Sequence, residues 1–117
     1  MKIENENYVL EYNEVTHQVM LSGSLRLNGL DEYALIFDVL KQCLNNAKKM
    51  SLDLCQLEFL NSSGIAMLSK FIIEARGTAK ENQQLEICII GSKLIPWQGK
   101  SLKNLQRLFP AMQVVIN

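Results

Sequence analysis

The chain has 117 residues, of which 48% are apolar and 21% are charged, and its twelve basic residues balance its twelve acidic residues. This length suits one domain with its own core, and the apolar share excludes a disordered or collagen-like chain. Zero formal net charge argues against a nucleic-acid binder, because such a protein needs a basic surplus to displace counterions from phosphates. We therefore expect one domain that spans residues 1–117.

The sequence contains no apolar run of about 18 residues, which a membrane-spanning helix requires. Its first residues are acidic and lack the apolar region of a signal peptide. Cys43, Cys55 and Cys88 have no close pairing of the kind that holds zinc, and His17 is the single histidine. The sequence thus predicts a cytoplasmic protein without membrane insertion, metal site or cofactor.

The first part of the chain predicts two strands joined by a hairpin. Apolar residues alternate over 8–12 and again over 17–27, as they do in strands with one buried face. Residues 13–16 suit the hairpin connection, so we expect this pair of strands to be antiparallel.

The rest of the chain predicts helices that alternate with strands. Apolar residues from Tyr33 to Leu44 have helical spacing, and a second helical stripe follows from Ile65 to Ala75. The other expected elements are strands over 50–57, 85–90 and 113–116, and a helix that Ser101 caps and Pro110 ends. This order predicts an α/β fold, with helices packed against a mixed, mainly parallel sheet of about five strands.

No catalytic motif is present. The sequence has no glycine-rich nucleotide loop, no GxSxG and no HExxH. Acid–base catalysis needs two ionisable groups in one cleft, and nucleophilic serine needs a neighbouring base. Because His17 falls in the predicted hairpin, the sequence predicts that the protein is not an enzyme.

The segment from Ser51 to Ile65 combines features of a functional site. The apolar pair Phe59-Leu60 follows the end of a predicted strand, and Asn61-Ser62-Ser63-Gly64 stands where a helix begins. The N–H groups at a helix N-terminus favour negative charge, so a phosphate on Ser63 would be tolerated there without unfolding. Gly64 would let a partner approach that hydroxyl closely. The alternative interpretation is that these four residues are only a loop and a helix cap.

Residues 52–65 resemble the signature of STAS domains, the family of bacterial anti-sigma factor antagonists. Members typically have an apolar strand with an aspartate, here Asp53, then an apolar pair and Asp-Ser-Ser-Gly-Leu, where this chain has Phe-Leu-Asn-Ser-Ser-Gly-Ile over 59–65. Residues 21–25, Leu-Ser-Gly-Ser-Leu, are similar to the family's second strand. The order of elements also fits the family's fold, so the resemblance covers nearly the whole chain.

The resemblance implies a non-enzymatic partner-switching regulator. In such systems the unmodified antagonist binds an anti-sigma factor, which is an ATP-binding serine kinase of the GHKL type, and thereby frees the sigma factor. The kinase phosphorylates the second serine of the motif, and a serine phosphatase restores the unmodified form. Carried onto this chain, the phosphorylated residue is Ser63, and the partner-binding residues include Asn61, Ser62 and Gly64.

Two residues depart from the family pattern. Asn61 replaces the usual aspartate, which keeps the capping capacity but removes a charge. Arg26, shortly after Ser24, stands where family members often carry an acidic residue that meets the partner. We count Ser24 and Arg26 among the expected partner-binding residues, and we expect the reversed charge to alter partner choice more than fold.

Two alternatives and one open position remain at this point. The chain is alternatively an unphosphorylated docking or ligand-sensing subunit of another assembly, such as a transporter. It is alternatively an enzyme with Cys55 or Ser63 as nucleophile, which rapid labelling by an electrophile at neutral pH would support. Trp97 lies in a predicted loop over 91–99. Two interpretations of this residue are open, an anchor at a protein interface and a side chain that covers the edge of the core.

Overall fold

Six strands form one mixed sheet in the computed structural model, which describes residues 1–117. The strands are β1 (Lys2–Glu4), β2 (Tyr8–Asn13), β3 (Gln18–Leu25), β4 (Lys49–Leu60), β5 (Glu86–Gly91) and β6 (Gln113–Ile116). They lie side by side in chain order. The pairs β1–β2 and β2–β3 are antiparallel, whereas the pairs from β3 to β6 are parallel. The predicted α/β class and the mixed, mainly parallel sheet are confirmed.

Four helices connect and cover these strands. They are α1 (Gly29–Glu32), α2 (Ala34–Asn46), α3 (Ser62–Glu81) and α4 (Gln98–Gln106). α2 contacts β2, β3 and α3, α3 contacts β4, and α4 contacts β5 and β6. No helix of this domain combines the length and the apolar character that crossing a bilayer requires.

The core lies between the helices and one face of the sheet. Cross-strand register aligns the buried positions, since Leu10 pairs with Leu21, and Leu52 pairs with both Val19 and Ile89. All of these side chains belong to a single cluster of 29 buried residues. The alternate positions on the strands are mostly exposed or half-buried. The period-2 pattern seen in the sequence therefore reports burial on one face of the sheet.

The sheet has one strand more than the sequence predicts. β1 was missed because its residues, Lys-Ile-Glu, carry no period-2 pattern that distinguishes them from a coil. Pairing with β2 holds this short edge strand, and the Tyr12 N–H donates to the Met1 carbonyl at 2.8 Å. The strand thus depends on its neighbour and not on its own residues.

Several element boundaries also differ from the predicted ones. The first helix begins at Gly29 and is interrupted at Tyr33, whose side chain is buried and whose backbone breaks the run between α1 and α2. β3 ends at Leu25 instead of residue 27, and β4 continues to Leu60 instead of residue 57. α3 extends to Glu81, and α4 begins at Gln98, before the predicted cap at Ser101.

The far half of β4 extends beyond its pairing with β5, and two side chains at the start of α4 satisfy its backbone. The β4–β5 ladder ends at Asp53, paired with Ile90. Beyond it, the Gln98 Nε2 atom donates to the Leu54 carbonyl at 2.6 Å and to the Leu57 carbonyl at 3.0 Å. The Gln98 Oε1 atom accepts the Ser92 N–H at 2.8 Å. Gln98 is the single fully buried polar residue, and it holds the far half of β4 at Leu54 and Leu57.

Trp97 also donates a hydrogen bond to the far half of β4. Its indole Nε1 donates to the Leu57 carbonyl at 3.2 Å, and the half-buried ring packs against the core. Of the two interpretations open at the sequence level, the structure selects the edge of the core.

Candidate functional site

The serine pair follows the carboxyl end of β4, where α3 begins. Asn61 is the N-cap of α3, with extended backbone, and its Oδ1 accepts the Gly64 N–H at 2.9 Å. This is the bond that a capping asparagine makes to a helical N–H that lacks an intrahelical partner. The N-terminal cap expected from the sequence is confirmed, and Ser62 and Ser63 occupy the first turn.

The Asn61 amide also holds two other segments. Its Oδ1 accepts the Tyr33 hydroxyl at 2.7 Å, and its Nδ2 donates to the Leu27 carbonyl at 2.7 Å. One side chain thereby joins the β3–α1 connection, the junction of α1 and α2, and the start of α3. This geometry explains the departure from aspartate in physical terms, because a carboxylate would set an oxygen against the Leu27 carbonyl oxygen in place of a donor.

The variant Asn61→Asp tests this explanation. It keeps the cap and places a charge favourably at the helix N-terminus, worth about 0.3–1 kcal/mol, but it loses the donor to Leu27, which costs about 1–3 kcal/mol. We expect the free energy of unfolding at pH 7 to fall by about 1–2 kcal/mol, as measured by urea denaturation.

A variant Asn61→Asp that is as stable as the parent at pH 7 would contradict the explanation.

The two serines have different surroundings. Ser62 is exposed, whereas Ser63 is half-buried. The Ser63 Oγ accepts the Gly29 N–H at 3.1 Å, and Gly29 has φ +69°, a conformation that favours glycine. The hydroxyl of Ser63 is therefore in contact with the start of α1, and a change at this hydroxyl acts directly on the β3–α1 connection.

Gly64 allows neighbouring side chains of the chain to pack closely against α3. It is buried, and a Cβ atom at this position would lie 2.7 Å from Leu60 Cγ and 2.8 Å from the Tyr33 hydroxyl oxygen. The space above Gly64 is thus filled from within the domain. The absent side chain makes room for Leu60 and Tyr33, and the close approach of a partner at Gly64 stays a prediction.

Ser24 and Arg26 lie at the same edge of the sheet. Because β3 and β4 are parallel, their carboxyl ends meet, and Ser24 pairs with Phe59 in the register. The Arg26 guanidinium lies 4.4 Å from the centre of the Phe59 ring, a cation–π distance. Arg26 is exposed, Ser24 is half-buried, and Phe59 is 39% exposed.

Phe59 is the surface residue that sequence reasoning missed at this edge. Its signal was present as the apolar pair after the predicted strand, but the pattern did not show that Leu60 turns inward while Phe59 stays exposed beneath Arg26. Aromatic and arginine side chains are enriched at the centres of protein interfaces.

The residues that could carry enzymatic chemistry are far apart. His17 precedes the amino end of β3, opposite to the edge that carries Ser63, and its backbone has φ +56° in the hairpin turn. Burial, followed by the interaction with Asp53, raises the pKa of the Cys55 thiol, so this thiol is neutral at pH 7 and a weak nucleophile. No group of three or more potential metal-binding side chains is brought together.

Neither a protein-family model nor a curated protein matches this sequence. Solved structures do match the fold. SiaC of Pseudomonas aeruginosa superposes with a TM-score of 0.78 at 10% identity, covering 100% of this chain and 96% of SiaC. SiaC in complex with the diguanylate cyclase SiaD, of which it is the activator, gives 0.77 at 11% identity, covering 99% and 97%.

A second kind of protein also matches. An anti-sigma factor antagonist from Mycobacterium paratuberculosis superposes with a TM-score of 0.57 at 14% identity, covering 98% of this chain and 82% of that one. The chain thus has a STAS-like fold, as the sequence resemblance implied. The matched structures are those of regulatory proteins, an activator and an antagonist.

Proposed function

We propose that this chain is a non-enzymatic partner-switching regulator of the anti-sigma factor antagonist type. In the proposed cycle it binds a serine kinase of the GHKL type in the bacterial cytosol, phosphorylation of Ser63 ends the interaction, and a serine phosphatase restores it. The observation that carries the proposal is the place of the Ser63 hydroxyl. It lies half-buried in the first turn of α3 and touches α1, at an edge that also presents Arg26 and Phe59.

A phosphate at this place is compatible with the folded domain. Ser63 belongs to the first turn of a 20-residue helix, where the free N–H groups and the helix dipole favour negative charge. A phosphoserine adds about −1.5 to −2 charges at pH 7. The modification therefore changes the charge of this edge strongly while the core beneath it stays packed.

The same charge accounts for release of a partner. An interface that accommodates a neutral hydroxyl would have to accommodate a dianion once Ser63 is phosphorylated. A loss of roughly 3 kcal/mol weakens binding more than 100-fold, which is enough for a switch.

A second candidate function concerns the partner. SiaC, which superposes over almost its whole length, is the activator of a diguanylate cyclase in the complex. This favours a docking subunit for a signalling enzyme as the alternative to control of a sigma factor. In that case the edge around Ser63 binds its partner constitutively, and charge at Ser63 has little effect.

A pull-down from the cytosol of the source cell distinguishes the two functions. The baits are the parent, Ser63→Ala, Ser63→Glu and, as a charge control on the exposed side of α4, Asn104→Glu. We expect an ATP-binding kinase to be retained by the parent, Ser63→Ala and Asn104→Glu, and to be lost with Ser63→Glu. Equal retention of one partner by all four baits would exclude the switch and support the docking subunit.

A further inference from the structure

A groove at the other end of the domain has the features of a ligand site. Lys49, Glu86 and Gln113, which begin the parallel strands β4, β5 and β6, line it together with the last turns of α3. Ser63 follows the opposite ends of these strands. The groove has a volume of about 720 Å³, within the range of about 300–1,000 Å³ that small-molecule sites occupy.

The inner surface of the groove is apolar. Leu85 and Ile87 of the β5 segment, Ala79 of α3 and Phe109 after α4 supply it. A ligand that fills this part of the groove must itself be apolar.

The rim of the groove is positively charged. Three cations line it, namely Lys49, Arg76 and Lys80, against the single acid Glu86. Glu86 lies 3.9 Å from Lys49, which leaves Arg76 and Lys80 on the α3 side without a carboxylate within salt-bridge distance. The rim therefore attracts an anion.

The walls are held in place by hydrogen bonds between the segments that form them. The Arg76 Nη1 atom donates to the Leu108 carbonyl at 3.0 Å, which joins α3 to the segment after α4. The Gln106 Nε2 atom donates to the Met112 carbonyl at 2.9 Å, which closes that segment onto the start of β6. The groove is thus preformed, which lowers the ordering cost of binding.

From the apolar floor and the cationic rim together, we infer that this groove binds a small amphipathic anion. The ligand has one carboxylate, sulfonate or phosphate head directed at Lys80 and Arg76, and an apolar body of the size of a decyl chain or a naphthalene ring over Ala79 and Phe109. This site is independent of the switch at Ser63, and its test requires neither a partner nor phosphorylation.

Fluorescence titration with 8-anilinonaphthalene-1-sulfonate, an aromatic sulfonate, tests the inference on the full chain. We expect saturable binding at one site, weakened about tenfold both by Ala79→Leu, which fills the floor, and by Lys80→Glu, which reverses the rim charge. The control Lys103→Glu, in α4 and outside the groove, should change the affinity less than twofold. Thermal denaturation of each variant verifies that it is folded.

Competition identifies the ligand class. Decanoate should displace the probe, whereas decylamine, with the same chain and the opposite charge, should not. Displacement by inorganic phosphate alone would overturn the amphipathic ligand in favour of a simple anion. Probe binding that neither Ala79→Leu nor Lys80→Glu weakens would overturn the site itself.

Discussion

Replacing Gln98 by leucine is expected to lower the free energy of unfolding by about 3–4 kcal/mol. Leucine has a similar size but no hydrogen-bonding group, so the Leu54 carbonyl and the Ser92 N–H both lose their bonds to Gln98. Each such group costs about 1–3 kcal/mol when it is buried without a partner. The Leu57 carbonyl keeps its bond from the Trp97 indole, which limits the total loss.

The control for this prediction is Gln106→Leu, in the same helix. Gln106 makes one side-chain hydrogen bond, to the Met112 carbonyl, at a half-buried position, so its replacement should cost less than about 1.5 kcal/mol. Urea denaturation gives both values. A loss below 1 kcal/mol for Gln98→Leu would show that the far half of β4 does not depend on this side chain.

Gly64→Ala is expected to lower the free energy of unfolding by about 2–3 kcal/mol, because inserting a carbon atom into a packed site displaces side chains. The added Cβ meets Leu60 and the Tyr33 hydroxyl, which is the donor to Asn61. The substitution therefore perturbs the cap of α3 as well as the core below it.

Gly77→Ala provides the matched comparison, since both glycines lie in α3. A Cβ at Gly77 meets no atom within 4 Å, so alanine should stabilise the protein by about 0.5–1 kcal/mol through its helix propensity. Urea denaturation should therefore give changes of opposite sign for the two variants. Two changes of the same sign would contradict the close packing above Gly64.

Much of the fold was predictable because a strand or helix with one buried face has apolar residues at periodic positions in the sequence. The alternation over 8–12 and the helical stripe from Tyr33 to Leu44 each correspond to side chains in the core cluster. β1 has no such apolar pattern, since its place in the sheet depends on backbone pairing with β2. The predicted start of α4 came too late in the chain. Gln98 is buried in the core although it is polar, and a polar residue at the start of a helix was assigned to the preceding loop.

The site was predictable in part. The N-cap at Asn61 is a local motif, visible within four residues, and the parallel strands explain why Ser24 and Arg26 lie near it. The bonds from Asn61 to Tyr33 and Leu27 join positions 28 and 34 residues apart. A single sequence carries no signal for contacts between positions so far apart in the chain. The physical reason for asparagine at position 61 is therefore visible only in the structure.

These contacts also refine how the proposed switch would act. Because the Ser63 Oγ is bonded to Gly29, a phosphate on Ser63 would change the start of α1, beside the exposed side chain of Leu30. The partner would then encounter a new charge and an altered β3–α1 connection at once. Ser62 is exposed and lacks this contact. A phosphate on Ser62 would therefore add a charge without altering the β3–α1 connection.

The role of Ser63 is tested most directly by titrating the captured partner with three forms of the chain. One form carries phosphoserine at position 63 by site-specific incorporation, one carries it at position 62, and one is unmodified. Phosphorylation of Ser63 is expected to raise Kd more than 100-fold, and phosphorylation of Ser62 is expected to have a smaller effect. A Ser63 phosphoprotein that binds within threefold of the unmodified chain, or a loss of binding confined to the Ser62 form, would contradict this expectation.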